Sequence, residues 1–137
     1  MSTHRIVQPA NWPAPKGFAN GIAARGEFLA IAGQIGWSET GEFVSDEFTA
    51  QFDQALANVV AVLTAAGGAP EHLVRMTVYV TDMDAYRNGT REIGRAWRAR
   101  LGKVFPAMAL VQVVALVEPR AKVEIEATAI LPVEPSR

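Results

Sequence analysis

The sequence predicts an α+β fold: a mixed β-sheet with two helices packed on one face. Three observations carry that reading. Two long stretches place apolar residues at spacings of three and four. Several shorter ones alternate apolar and polar residues with the two-residue period of a strand. The two kinds follow one another in the order β-β-α-β-α-β-β. Each helix has a single apolar stripe, and one face of a sheet is the natural cover for both.

The elements are read in order. Residues 1–16 contain Pro9, Pro13 and Pro15 around Asn11-Trp12. Proline fixes φ and removes a backbone donor, so an irregular arm is expected there. Two β-like runs, 18–24 and 28–32, flank Arg25-Gly26-Glu27 and suggest a hairpin. Gly33-Gln34-Ile35-Gly36-Trp37 then leaves the strand, and Thr40-Gly41 marks a turn.

The first helix is expected over 47–66. Its stripe is Phe48, Phe52, Ala55, Val59, Val62, Leu63 and Ala66, and Gly67-Gly68 stops it. Ser45 is placed to cap its start, where Asp46 and Glu47 suit the positive end of the dipole. Over 73–81, Val74, Met76, Val78 and Val80 alternate with Arg75, Thr77 and Tyr79, which describes a strand with one buried face. A second helix follows over 83–101, with Tyr86, Ile93, Trp97 and Leu101 inward and Gly102 at its end. Strands at 107–116 and 122–131 close the fold; Val123, Ile125, Ala127, Ala129 and Leu131 share a face of the second. Residues 132–137 form a tail. One domain over 1–137 is expected, since the length suits one and leaves little room for two.

Bulk properties narrow the function. Half of the residues are hydrophobic and a fifth charged, enough for a real core. The net charge is −1 with dispersed Lys and Arg, so there is no electrostatic footprint for nucleic acid. The absence of cysteine excludes disulfides, thiol catalysis and thiolate metal sites. No apolar run approaches the ~20 residues that span a bilayer, and Met1-Ser2-Thr3-His4-Arg5 lacks a signal pattern. A cytoplasmic protein is the expectation.

The residues alone say less about chemistry. His4 and His72 read as solvated surface groups, and no His, Asp and Glu cluster has metal-ligand spacing. Glu124 and Glu126 fall on the polar face of an otherwise apolar strand. If another subunit covers that face, burial raises a carboxylate's pKa and makes it a candidate proton acceptor or donor. Glu118-Pro119-Arg120 stands in the turn before that strand. If the last two strands form an antiparallel hairpin, the even-numbered Met108 and Glu124 share a face. Ile130 and part of the 107–116 strand make the face away from the helices apolar as well, and self-association would cover it.

Several stretches resemble the RidA/YjgF/UK114 family: Ala32-Gly33-Gln34-Ile35, Gln54-Ala55-Leu56-Ala57-Asn58-Val59, Ala65-Ala66-Gly67, Val74-Arg75-Met76-Thr77-Val78-Tyr79-Val80, Phe105-Pro106-Ala107 and Val123-Glu124-Ile125-Glu126-Ala127. They stand in the family's order over 17–131. The resemblance implies a chorismate-mutase-like fold and a homotrimer with ligand clefts between subunits. It also implies hydrolysis of reactive enamines and imines to carbonyl compounds and ammonia, with no metal or organic cofactor. A membrane partner is not implied.

Carried over position by position, the resemblance makes Glu124 the residue that positions water. The other cleft positions depart from the pattern. The arginine after Pro-Ala, which grips a substrate carboxylate, is matched by Met108, which cannot form a bidentate pair. The cleft tyrosine is matched by Phe18, the serine before Gly-Gln by Ala32, and a cysteine by Leu110. The expected site therefore comprises catalytic Glu124, an apolar pocket of Phe18, Ala32, Met108 and Leu110 with the backbone near Ala109, and Trp37 at its rim. Arg120, in a turn one residue longer than the family's, is a candidate replacement cation. Two functions remain: a divergent imine/enamine hydrolase acting on a more apolar substrate, or a catalytically inactive ligand-binding or chaperone-like trimer.

Overall fold

The computed structural model describes residues 4–133. Strand β1 (Arg5–Val7) pairs antiparallel with β2 (Gly21–Ala23) in a small separate sheet. The arm read as irregular over 1–16 therefore contains a strand, and the expected hairpin between 18–24 and 28–32 does not form. Strand β3 (Glu27–Gln34) pairs instead with the distant β6 (Val123–Leu131), beginning at Glu27 opposite Leu131. Gly26 allows this: its φ is +148°, and a Cβ there would collide with the Leu131 backbone. Most of the expected tail lies outside the described residues.

Helix α1 (Phe48–Ala65) buries Phe48, Phe52, Ala55, Leu56, Val59 and Leu63. Ala66, expected on that stripe, is exposed and caps the end, and Val62 is half-buried. Ser45 does not cap the helix directly. Its Oγ accepts the Glu47 N–H at 2.9 Å, one step before the helix, and Glu47 is the extended cap residue. A 3-10 turn (Pro70–His72) leads into β4 (Leu73–Val80). His72 is buried, contrary to its reading as a surface group, and its Nδ1 accepts the Ala69 N–H at 2.9 Å.

The second helical region is two helices, α2 (Met83–Asn88) and α3 (Thr90–Leu101). Asn88 and Gly89 favour helices weakly, and a Cβ on Gly89 would approach Thr49 Cγ2 of α1 to 2.8 Å. The break lets the chains pass closely. Ile93, Trp97 and Leu101 face inward as expected, and Gly102 ends α3 with φ +70°.

The main sheet has the order β3-β6-β4-β5, where β5 is Ala107–Gln112. Strand β5 runs parallel to β4, while β4 and β3 are antiparallel to β6. A strand-helix-strand unit returns its second strand parallel to the first, so β4 separates β5 from β6. The last two strands therefore do not form the hairpin on which a shared face for Met108 and Glu124 depended. The core lies between the helices and one face of the sheet, where Met76, Val78, Val80, Val123, Ile125 and Ala129 are all fully buried. No helix among the described residues is long and apolar enough to cross a membrane.

Candidate functional site

Sheet pairing decides which candidate residues can meet. Met108 is in register with Met76 and packs with Leu110 against the helix-side core. Glu124 is in register with Tyr79, on the face away from the helices. Three residues along a strand and two strands across separate Met108 from Glu124 by about 14 Å, and their side chains point to opposite faces. The expectation of a shared face fails because β4 lies between them.

Met108 belongs to a cavity at the outer edge of β5. Phe18, Ala19, Asn20, Arg75, Ala107, Met108 and Ala109 line it, with a volume of about 250 Å³. Its walls are fixed locally. Trp97 Nε1 donates to Val104 O at 2.9 Å and its ring stacks on Phe105, 6.3 Å between centroids, which sets the turn into β5. Ala19 N–H donates to Pro106 O at 3.1 Å, and Ala19 bridges Ala107 in parallel. This bridge brings Phe18 and Asn20, which flank Ala19, to the cavity.

Trp37 and Arg120 line a different cavity, with Phe43, Glu118 and Pro119, of about 540 Å³. Arg120 does not reach the Met108 cavity. Its Nε and Nη2 donate to Asp46 Oδ1 at 3.0 and 2.9 Å, and its guanidinium lies 5.0 Å over the Phe43 ring. Its turn is anchored from below by Gln51, a residue that local pattern does not single out. Gln51 is fully buried on α1; its Nε2 donates to Ser45 O and Arg120 O at 2.9 and 3.1 Å, and its Oε1 accepts the Lys122 N–H at 2.8 Å. Asn58, two turns on, donates through Nδ2 to Ile35 O and Trp37 O at 3.0 and 2.8 Å. Amides seven residues apart beside an apolar stripe were the available signal.

Glu124 is half-buried and lies against Gly33. A Cβ on Gly33 would stand 2.7 Å from Glu124 Cδ, so the glycine makes room for the carboxylate. The β3–β6 register shifts between Ile31 and Gln34, which places exposed Ala32 and Gly33 in an irregular segment beside it. Glu126 Oε1 accepts the Tyr79 O–H at 2.6 Å. That hydrogen bond, with desolvation and the negative charges of Glu126 and Glu124, holds the Tyr79 phenol above its ordinary value, and Thr77 opposes the shift. Tyr79 is the second residue missed; its place opposite Glu124 follows only from pairing. No group of three or more His, Cys, Asp or Glu able to hold a metal ion occurs among the described residues.

A β-sheet with helices on one face, a carboxylate on the other and an edge cavity defines an α+β protein of the chorismate-mutase-like class. The family model described as Endoribonuclease L-PSP matches residues 10–131. A RutC family protein of Pyrococcus horikoshii is 34% identical over 125 residues, covering 90% of this chain and 95% of its own. The 2-iminobutanoate/2-iminopropanoate deaminase of Salmonella typhimurium is 32% identical over 129 residues, covering 92% and 97%. The crystal structure of a Rid family protein of unknown function from Yersinia pestis superposes with a TM-score of 0.82 at 33% identity, covering 93% and 98%. The chain belongs to the RidA/YjgF/UK114 family.

Proposed function

We propose that this chain is a divergent imine/enamine hydrolase of the family, assembled as a homotrimer with its clefts between subunits. The observation that carries the reading is Glu124, a half-buried carboxylate in a space kept open by Gly33. The deaminase activity named for the Salmonella relative supports it. Glu124 takes a proton from water as the oxygen attacks the imine carbon. The carbinolamine nitrogen is protonated, the C–N bond breaks, and carbonyl compound and ammonia leave. General-base assistance of this kind is worth roughly 10²–10⁴-fold in rate.

Within one chain, the Met108 and Glu124 side chains point to opposite faces of the sheet. A trimer cleft would bring one subunit's carboxylate to another's cavity and would cover the open face, where Phe28 is 66% and Val111 41% exposed. Glu124→Gln should lower ammonia release from freshly generated imino acids by at least about 100-fold with an unchanged melting temperature. Release equal to wild type would sink the role of Glu124.

A second reading, a catalytically inactive ligand-binding or chaperone-like trimer, is favoured by Met108, which turns toward the core and offers no charge. It predicts thermal stabilisation by small ligands with no ammonia release from any imine tested.

A further inference from the structure

We propose that the cavity between the 37–43 loop and the 118–120 turn binds an aliphatic diamine, with Glu42 and Glu118 as its counter-ions and the rings of Trp37 and Phe43 as its apolar walls. The site is separate from the proposed hydrolase chemistry: its lining includes neither Glu124 nor any residue of the Met108 cavity.

Two loops make the site, and both are fixed from inside the core. Ser38 N–H donates to Glu42 O at 2.7 Å and Val44 N–H to Gly36 O at 3.1 Å, closing a turn in which Gly41 takes φ +78°. Trp37 and Phe43 are bridged antiparallel across it, with ring centroids 6.0 Å apart and planes tilted by 49°. Asn58 holds the carbonyls of Ile35 and Trp37, and buried Gln51 holds those of Ser45 and Arg120. Gly36 lies directly on Gln51, where a Cβ would stand 2.6 Å from Gln51 Cβ. A buried amide is costly unless its hydrogen bonds are made. Here the bonds that satisfy Gln51 and Asn58 also hold two surface loops in one arrangement, which preorganises the space between them.

The charges around that space do not cancel. Residues 37–47 carry Glu39, Glu42, Asp46 and Glu47 and no Lys, Arg or His. Arg120 is engaged by Asp46, which leaves Glu42 and Glu118 on the lining. Among the described residues neither of these two side chains has an ion pair or a hydrogen bond. Two uncompensated carboxylates on one cavity call for a ligand with two positive charges. The rings select an organic one. An ammonium is attracted to an aromatic face, and its methylenes pack there, whereas a strongly hydrated metal ion keeps its water. Phe43 already holds a cation, since the Arg120 guanidinium lies 5.0 Å over its ring. The half-buried Trp37 is left for the ligand. The cavity volume of about 540 Å³ equals roughly eighteen waters at about 30 Å³ each, room for a four-carbon chain with hydrated ends.

The test is titration calorimetry of the full chain at low salt with 1,4-diaminobutane, butylamine and 1,4-butanediol. Wild type should bind the diamine more tightly than butylamine, which mimics a lysine side chain, and should not bind the uncharged diol. Glu42→Gln and Glu118→Gln should each weaken the diamine by about threefold, and the double variant by about tenfold. Trp37→Leu should weaken it by about threefold, with Trp37→Phe in between because it keeps a ring. Glu92→Gln, which removes an equal charge on α3, should bind as wild type. Equal affinity of wild type and the double variant for the diamine would overturn the proposal. So would equal binding of butylamine or the diol, or displacement of the diamine by an equal concentration of Mg²⁺.

Discussion

The two faces of the main sheet are made by the same strands and do opposite work. Toward the helices stand Met76, Val78, Val80, Val123, Ile125 and Ala129, all fully buried. Away from them stand Arg75, Thr77, Tyr79, Glu124 and Glu126, with Thr77 opposite Glu126 and Tyr79 opposite Glu124 across β4 and β6. One residue of offset separates core from chemistry. The period of two lets a strand carry both without compromise, because a change on one face leaves the other in place.

That division can be broken from the core side with the largest effect. Leu56→Ala removes a fully buried side chain between α1 and the sheet. It should cost about 3 kcal/mol in urea unfolding at one fixed protein concentration, while ammonia release per folded molecule stays near wild type. A large loss of release at unchanged fold would show that the faces are coupled.

Gln51→Leu probes the place where core and surface meet. It leaves Ser45 O, Arg120 O and Lys122 N without their buried partner. The expected cost is about 2 kcal/mol by the same measurement, with the Arg120 turn more readily cut by protease. A cost under about 0.5 kcal/mol would mean that water replaces the amide.

The smallest effect sharpens the open face. In a Tyr86→Phe background, alkaline absorbance reports Tyr79 alone. Its midpoint should lie above 10, and Glu126→Ala should move it down. The sign follows from linkage: a phenol whose folded pKa is raised contributes stability below its unfolded value, near 10. That stability is lost as pH rises from there through the folded value. A midpoint that stays put in Glu126→Ala would remove Glu126 as the cause.

Much of the helix face was legible from local pattern. Val123, Ile125, Ala127, Ala129 and Leu131 are buried as their alternation requires, and Ile93, Trp97 and Leu101 as their helical spacing requires. The candidate site was legible only in pieces. Glu124 and Gly33 do lie together, whereas Met108 and Leu110 turn to the core and Arg120 pairs with Asp46. The strand misses have one source: they depended on which strand lies beside which, and the β3–β6 and β4–β5 pairings join segments far apart in the chain or across a helical crossover. The Arg120–Asp46 pair is likewise a contact between segments distant in sequence.

By itself, the sequence determined the first helix, the main-sheet strands in outline, most of their inward faces and the family, because periods of 2 and 3.6, glycine stops and ordered motifs are local properties of the chain. Tertiary structure alone decided the neighbours. It placed β4 between β5 and β6, set Met108 and Glu124 on opposite faces, tied Arg120 to Asp46, and brought Arg75 to the Phe18 cavity. The physical reason is that strand order is chosen by long-range pairing and the hand of a helical crossover, and neither leaves a mark on the residues that end up side by side.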